Sequence, residues 1–376
     1  MSSSVQFEVL STANQKNVGV ATLNRPETLN GLSLEMCQLL ARQLSRWEND
    51  DSIALVILKG AGEKAFCAGG DLHGLYQAMQ DNHSGQAWGN TYARQFFDVE
   101  YRLDYQIHTY PKPVLCWGSG IVMGGGVGLL MGASHRVASE TTRFAMPEIT
   151  IGLFPDVGGT WMLSRLPRGI GTFLALTGAQ LGASDLRHLG LVDYTLAASR
   201  WSDFVTCVQM GSWSGSRTQN DVQLRDLLLR LQPEPRLPAG PLQAHYAWIN
   251  DACDGADFDA ICRHIAGLAS QEDAWLKRAA ATFKAGAPGS ARLCFTLLRQ
   301  TRLLSLADAF RQEYIVSLQC GVAGDFQEGI RALLIDKDKQ PKWRPASLAE
   351  ATDDWVQRFF IPPWPQTQGH PLADMR

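Results

Sequence analysis

The chain has 376 residues, 45% of them hydrophobic, so it can bury a large core in two or three domains or in one α/β domain with an appendage. Its formal net charge of −3 and its pI of about 6.2 argue against nucleic acid or an acidic membrane surface as the main partner. The eight cysteines form no C-x-x-C pair and no zinc-binding spacing, which is typical of a reducing compartment rather than of a disulfide framework.

The N-terminal residues lack the features of a targeting segment. They contain no basic stretch and no long apolar stretch, and the first arginine is Arg25, so we expect neither a secretory signal nor an arginine-rich transit peptide. The longest apolar runs elsewhere are of strand length or are interrupted by glycine, which predicts no membrane-spanning helix. We therefore predict a soluble, cytoplasmic protein.

Short β-rich runs alternate with a helical pattern through the first half of the chain. Residues 18–23 and the continuous apolar run 53–58 are predicted strands, and the second has the composition of a strand that is covered on both faces. Between them, residues 33–47 have a helical period that begins at a serine cap. Further short strands are predicted at 113–117 and 136–138. This alternation favours an α/β core with parallel strand pairing.

The sequence changes character after about residue 197. Residues 211–220 are small and polar, and residues 232–238 form a proline-rich connector. Helical patterns dominate beyond it, at residues 258–268, 273–284 and 291–335. We interpret the chain as an α/β core over residues 1–200 followed by a helical C-terminal region over residues 201–376.

The first segment of chemical interest is KAFCAGGDL at residues 64–72. It follows the predicted strand at 53–58, and its small residues leave backbone N–H groups uncovered where a helix is expected to begin, near Asp71. Such a turn can direct N–H donors at an oxyanion or a phosphate. An ordinary strand-to-helix turn is the alternative interpretation.

The second segment is GSGIVMGGGVG at residues 118–128, with six glycines in eleven residues. Glycine lets the backbone approach another backbone or a ligand closely, so the segment indicates either a ligand site or tight packing of a helix on the sheet. It matches neither G-x-G-x-x-G nor G-x-x-x-x-G-K-[ST], and no dinucleotide or P-loop site is therefore predicted.

The third segment is FAMPEITIGLFPDVGGT at residues 144–160. It places two acids, Glu148 and Asp156, in apolar sequence that is bent by glycine and proline. Carboxylates in such surroundings are either surface loop residues or buried groups with raised pKa values that suit general acid–base work.

Together the three segments resemble the crotonase superfamily of enoyl-CoA hydratases and isomerases, whose members bind acyl-CoA. The resemblance begins at LNRP, residues 23–26, and continues to about Asp193. It implies a crotonase-like α/β spiral of ββα units, with C-terminal helices that cover the site or pack on a neighbouring subunit of a homo-oligomer. It also implies an oxyanion hole formed by the backbone N–H groups of Ala68 and Gly125.

Positions at which the sequence differs from the hydratases indicate which subgroup of the superfamily it resembles. Hydratases of this type hold a water between two glutamates, and the first of these positions is Gly128 here, whereas the second is kept as Glu148. A further acid, Asp156, stands where hydratases usually carry glycine. This combination resembles the 3-hydroxyisobutyryl-CoA hydrolases, as does the C-terminal sequence from residue 325 to residue 343.

The same group carries a glutamate that contacts the acyl end of the substrate, and Glu100 occupies that place. The resemblance therefore implies hydrolysis of a short, branched β-hydroxyacyl-CoA in valine catabolism. Glu148 is expected to attack the carbonyl or to activate water, and Asp156 to orient or to protonate. Glu100, Gly125, Glu148 and Asp156 are the predicted substrate-binding residues.

Two other functions stay open from the sequence. One is an enoyl-CoA hydratase or isomerase with an unusual acid arrangement, and the other is a non-catalytic relative that binds acyl-CoA or RNA. The histidines show no metal-binding spacing and no G-x-S-x-G elbow is present, so we predict neither a metal site nor a serine thioesterase. We expect no cofactor beyond the coenzyme A of the substrate.

Overall fold

A computed structural model describes residues 3–232 and 237–376, and the predicted proline-rich connector at 232–238 lies mostly outside these ranges. The chain divides into two compact units, each built from three separate segments. The first unit comprises residues 1–70, 103–144 and 181–244, and the second comprises residues 71–102, 145–180 and 245–376. The boundary predicted near residue 200 concerns sequence regions rather than these interleaved units, and it stays a prediction.

The strands are confined almost entirely to the first unit. They are β1 (Val5–Ser11), β2 (Asn17–Leu23), β3 (Ile53–Gly60), β4 (Ala65–Cys67), β5 (Val114–Gly118), β6 (Ile121–Met123), β7 (His135–Ala138), β8 (Arg143–Ala145) and β9 (Tyr194–Thr195). A six-stranded sheet has the order β1-β2-β3-β5-β7-β9, and a three-stranded sheet has the order β4-β6-β8.

The large sheet is parallel from β2 to β9, and β1 alone runs antiparallel to its neighbour β2. The predicted parallel core is therefore confirmed. The apolar run in β3 is buried along residues 53–58, as expected of a strand with parallel neighbours on both sides.

The helices occur in both units. They are α1 (Leu34–Glu48), α2 (Leu72–Gln80), α3 (Thr91–His108), α4 (Gly125–Gly132), α5 (Gly159–Ser164), α6 (Arg168–Thr177), α7 (Ala183–His188), α8 (Trp201–Gln209), α9 (Arg217–Leu231), α10 (Pro241–Cys253), α11 (Phe258–Gly267), α12 (Ala274–Ala285), α13 (Pro288–Thr301), α14 (Leu306–Ala323), α15 (Phe326–Ile330) and α16 (Asp353–Gln357). A π-helical turn, Arg331–Ile335, continues α15.

Capping residues set several of these helix starts. The Ser33 side chain accepts a hydrogen bond from the Met36 N–H at the start of α1, and Asp71 caps α2 through the Gly74 N–H. Both starts agree with the sequence prediction. The stretch predicted as helical over 291–335 is interrupted, because Ser305 caps a new helix, α14, after α13 has ended.

The core of the first unit lies on one face of the large sheet. Side chains from β3, β5 and β7 pack there against α8 and α9, with Trp117, Phe204 and Trp213 among the largest. In the second unit the buried core is helical, and it includes Tyr101, Phe310 and Tyr314. The prediction of an α/β core with a helical C-terminal region is confirmed.

Candidate active site

Two glycine-rich turns of the first unit are brought together by the small sheet. Its strands β4 and β6 run parallel, with Cys67 paired to Val122, so the chain leaves both strands at the same edge. A Cβ on Gly126 would collide with the carbonyl oxygen of Cys67, and one on Gly69 would lie 3.6 Å from the Met123 carbonyl oxygen. Gly126 is thus needed for the close approach of the two turns, whereas Gly69 is needed because its φ of 116° strains any residue with a side chain.

The N–H groups of Ala68 and Gly125 differ in their hydrogen-bond acceptors. Gly125 is the first residue of α4, and the N–H groups of a first helical turn have no acceptor within their own helix. The Ala68 N–H instead donates to the Leu29 carbonyl at 3.1 Å. To stabilise an oxyanion, the Ala68 N–H would have to leave the Leu29 carbonyl or donate to both oxygens at once. The oxyanion roles of Ala68 and Gly125 stay predictions.

The acids singled out by sequence are gathered in the second unit. Glu148 begins a short 3-10 helix, Glu148–Ile151, Asp156 lies in the loop that follows, and Glu100 is carried by α3. All three side chains are buried, with Glu100 3% exposed and Glu148 and Asp156 each 5% exposed. The structure therefore supports the interpretation of Glu148 and Asp156 as buried groups over the surface alternative.

Burial shifts all three carboxyl groups toward the neutral form. The pKa values of Glu148 and Glu100 are held well above the usual range, first by loss of solvation and then by the charge of Asp156. Burial also raises the pKa of Asp156, to about 6, and a hydrogen bond from Tyr101 opposes that rise. Because the charge of Asp156 acts on both Glu100 and Glu148, the three buried acids titrate as one coupled group.

Two hydroxyl groups complete the surroundings of Asp156. The Tyr101 hydroxyl donates to Asp156 Oδ2 at 2.8 Å, and the hydroxyl of Ser317 on α14 lies 2.6 Å from Tyr101 Oη. Neither Tyr101 nor Ser317 was assigned a role from the sequence. The Tyr101–Ser317 contact joins residues 216 positions apart, so no local pattern could have revealed it.

A fourth buried acid, Glu313 on α14, was also missed. It accepts hydrogen bonds from the N–H of Gly158 at 2.7 Å, from the N–H of Thr160 at 3.1 Å and from the Thr160 hydroxyl. Burial raises its pKa to about 8. An acid among Phe310, Tyr314 and Ser317 on the buried face of a helix is the only signal in the sequence that could have identified it.

The C-terminal motif packs on the turn that carries Glu148. Gly152, which ends that turn in the left-handed region at φ 72°, leaves no space for a Cβ beside Asp325. Asp325 in turn accepts from the Arg344 N–H at 2.6 Å. Further along, Arg331 binds Glu328, Asp336 and Asp338, so the segment from residue 325 to residue 344 folds as one linked structure.

Within the described ranges, no group of three histidine, cysteine, aspartate or glutamate side chains is arranged to hold a metal ion. No helix there is long and apolar enough to cross a membrane. The predicted absence of a metal, a cofactor and a nucleic-acid or membrane partner, and the predicted homo-oligomer, stay predictions.

Comparison with known proteins supports the sequence interpretation. A sequence profile described as enoyl-CoA hydratase/isomerase matches residues 18–360. The chain is 39% identical over 364 residues to a protein named 3-hydroxyisobutyryl-CoA hydrolase, mitochondrial, from Danio rerio, and the alignment covers 96% of this chain and 91% of that protein. A Gallus gallus protein of the same name is 38% identical over 349 residues, which cover 93% of this chain and 87% of that protein.

A solved structure resembles the whole fold. It is described as a carnitinyl-CoA dehydratase from Mycobacterium thermoresistibile, and it shares 36% sequence identity with this chain at a TM-score of 0.82. The likeness covers 96% of this chain and 97% of that one. The predicted crotonase-like fold is thereby confirmed.

The predicted cytoplasmic location is wrong. The relatives from Danio rerio and Gallus gallus are both named as mitochondrial enzymes. The prediction depended on cysteine usage and on the N-terminal residues, and a reducing interior is common to the cytosol and the mitochondrial matrix. Cysteine usage therefore did not distinguish the two compartments.

Proposed function

The chain belongs to the enoyl-CoA hydratase/isomerase family, and on that premise we propose that it hydrolyses a short, branched β-hydroxyacyl-CoA thioester. The substrate that fits best is 3-hydroxyisobutyryl-CoA, the compound named in the curated relatives. Its hydrolysis yields 3-hydroxyisobutyrate and free coenzyme A, which places the reaction in valine catabolism.

The observation that carries this proposal is the composition of the buried acid cluster. Glu148 is accompanied by Asp156, and residue 128, where a hydratase has its other water-holding glutamate, is glycine. Hydratases of this family hold the water that adds to the double bond between two carboxylates. Thioester hydrolysis instead needs one group that acts as nucleophile or general base at the carbonyl and one group that transfers the proton. The acids of this chain match the second requirement.

Glu148 is the group that begins the reaction in this proposal. As a carboxylate it attacks the thioester carbonyl, which breaks the C–S bond, releases the coenzyme A thiolate and leaves a mixed anhydride that water then hydrolyses. Alternatively, it removes a proton from a water that attacks the carbonyl directly. Its raised pKa makes it a strong base once it is ionised, and on the general-base route the proton that it takes from water can be passed to the departing thiolate. Asp156 orients the water or carries the proton.

The remaining predicted residues bind the substrate. The N–H groups of Ala68 and Gly125 would stabilise the negative charge that develops on the thioester oxygen. Glu100, whose pKa is raised by burial and by the charge of Asp156, recognises the β-hydroxyl of the acyl group through a hydrogen bond.

A direct assay tests the reaction class. Purified protein is mixed with 3-hydroxyisobutyryl-CoA or with crotonyl-CoA, and free thiol and enoyl absorbance are followed in parallel. We expect thiol release from the hydroxylated substrate and slow loss of the enoyl absorbance. Rapid hydration of crotonyl-CoA without thiol release would instead identify a hydratase, and binding without either reaction would identify a silent acyl-CoA-binding relative.

A further inference from the structure

We infer that Tyr101, held by Ser317, is a positioning residue that fixes the Asp156 carboxylate in one orientation and in its ionised form. The inference deepens the proposed function and rests on its placement of Asp156 among the reacting groups. Nothing in the sequence analysis gave either hydroxyl a part in the chemistry.

The direction of the hydrogen bonds follows from counting protons. Tyr101 Oη has one proton, and a carboxylate oxygen 2.8 Å away can only accept it. The Ser317 hydroxyl, 2.6 Å from Tyr101 Oη, must then donate its own proton to the tyrosine oxygen. A donor that itself receives a hydrogen bond is polarised, and this strengthens its bond to the carboxylate.

The Tyr101 ring cannot turn away from Asp156. It is fully buried, and its centroid lies 5.7 Å from those of Phe97 and Phe310 and 6.5 Å from that of Tyr314. Such aromatic contacts hold the ring plane in place without adding another polar group near the carboxylate.

The backbone after Asp156 is fixed as well. Val157 and Gly158 both lie in the left-handed region, at φ 53° and φ 80°, and a β-branched residue is strained there. Glu313 stabilises this conformation by accepting the N–H groups of Gly158 and Thr160. Strained turns that neighbouring groups hold in place are often part of reactive sites.

The described groups around Asp156 offer its carboxylate no positive charge, so its ionised form depends on the Tyr101 hydroxyl. The titratable groups whose charges interact with it are the carboxyls of Glu100, Glu148 and Glu313, the Tyr101 hydroxyl and the Cys320 thiol. Within the described part of the chain, no lysine, arginine or histidine forms an ion pair with Asp156. A buried carboxylate without a cation depends on hydrogen-bond donors.

Of the three predicted acids Glu100, Glu148 and Asp156, Asp156 is the one that accepts a hydrogen bond from a side-chain donor within the described part of the chain. Among the described residues, neither Glu100 nor Glu148 accepts a hydrogen bond from another side chain, and Glu148 Oε2 is buried without a partner. Leaving a charge on an unpartnered buried oxygen is far costlier than leaving it on Asp156. The geometry therefore assigns the first negative charge of the cluster to Asp156, which ionises before Glu148 does.

The inference is tested by titrating Asp156 directly. Aspartate carboxyls are labelled with ¹³C, and the Asp156 resonance is identified by its loss in the Asp156→Asn variant. We expect a pKa of about 6 in the wild type. The Tyr101→Phe variant should titrate about one pH unit higher or more, because a hydrogen bond to a charged group is lost. Ser317→Ala should move the pKa in the same direction by less.

A matched control separates this effect from the loss of any buried hydroxyl. Tyr314 is buried beside Tyr101, but its hydroxyl donates to the Arg94 carbonyl at 3.3 Å rather than to an acid. Tyr314→Phe should leave the Asp156 titration unchanged. If Tyr101→Phe does not fold, Ser317→Ala against Tyr314→Phe makes the same comparison.

Activity gives a second readout. If Asp156 and Glu148 both act as carboxylates, kcat falls on the acid side as each gains a proton, and the lower step of that limb, which belongs to Asp156, should move upward by about one pH unit in Tyr101→Phe. A merely structural tyrosine would lower kcat at every pH without moving the limb. An unmoved limb together with an unmoved Asp156 titration would overturn the inference.

The two hypotheses fail in distinguishable ways. A wild-type protein that releases no thiol contradicts the proposed function, but the ¹³C titration still tests the action of Tyr101 on Asp156. If the wild type is active but the pKa of Asp156 is the same in Tyr101→Phe, only the positioning role of Tyr101 is contradicted.

Discussion

The Asp104 carboxylate lies directly against Gly128. A Cβ placed on Gly128 would stand 2.7 Å from Asp104 Oδ2 and 2.9 Å from Asp104 Cγ, which is closer than van der Waals contact allows. Asp104 is completely buried on α3, and Gly128 lies in the middle of α4. A residue larger than glycine does not fit at position 128, because the Asp104 carboxylate from another helix occupies the space that its side chain would need.

We expect Gly128→Ala to destabilise the protein by about 1–3 kcal/mol, the usual cost of overpacking a filled core. The extra methyl group must displace the Asp104 carboxylate, although alanine favours helix more than glycine does. Urea unfolding of wild type and variant measures the difference. Gly182→Ala is the control, because a Cβ there meets no atom within 4 Å. Equal stability of the two variants would show that the Asp104 contact is not restrictive.

Glu100 should govern the preference for a hydroxylated substrate. Glu100→Ala removes the proposed hydrogen bond to the β-hydroxyl, and a hydrogen bond from a carboxyl that burial shifts toward its neutral form contributes roughly 0.5–1.5 kcal/mol. The ratio of kcat/KM for 3-hydroxyisobutyryl-CoA over isobutyryl-CoA should therefore fall by roughly twofold to tenfold.

The control for Glu100 is on the same helix. Asp98 is half-buried and pairs with Arg102 at 3.0 Å, so Asp98→Ala removes an acid from α3 without removing one from the cluster. That variant should keep the wild-type preference. If Glu100→Ala also keeps it, Glu100 has a structural role instead.

Asp325 should make the folded state less stable as pH rises. Burial raises its pKa from 3.8 to about 6, so the unfolded chain loses the proton at lower pH than the folded one does. The stability that the neutral form contributes is complete below about pH 4 and is lost as pH rises through about 6. The amide of Asp325→Asn does not titrate.

The measurement compares urea unfolding of wild type and Asp325→Asn at several pH values. Relative to wild type, the variant should gain about 1–3 kcal/mol between pH 4 and pH 7. Asp354→Asn, at an exposed position, is the matched control. A stability difference that stays constant with pH would mean that Asp325 does not titrate between these values.

Structural features that are determined by residues close together in the sequence could be predicted from it. The apolar run of β3, the Ser33 and Asp71 caps and the glycine turns were predicted because composition and spacing determine them within a few positions. The acids Glu148 and Asp156 were recognised by resemblance, and their burial emerged only from the structure.

The sequence could not predict contacts between distant segments. Asp104 was overlooked because the residue that it packs against, Gly128, belongs to another helix. Glu313 lies 153 positions from Thr160, which it binds, and nothing near it in the sequence indicates that partner. Side chains that support a reactive loop are defined by tertiary packing, and the local sequence carries little information about them.

Asp156→Asn should reduce thiol release by less than a substitution at Glu148 does. The amide keeps one oxygen to accept the Tyr101 hydroxyl and can still hold a water, but it cannot accept or deliver a proton. Substrate binding should persist, so KM should change little while kcat falls. A variant with wild-type kcat would remove Asp156 from the mechanism.

The most direct test of the account is the rate of thiol release from 3-hydroxyisobutyryl-CoA by Glu148→Gln. This substitution keeps the shape of the side chain and removes its ability to attack or to take a proton. Positioned acid–base groups contribute about 10²–10⁴ in rate, so we predict a fall in kcat of about a hundredfold or more with the substrate still bound. A Glu148→Gln enzyme that turns over at nearly the wild-type rate would contradict the account.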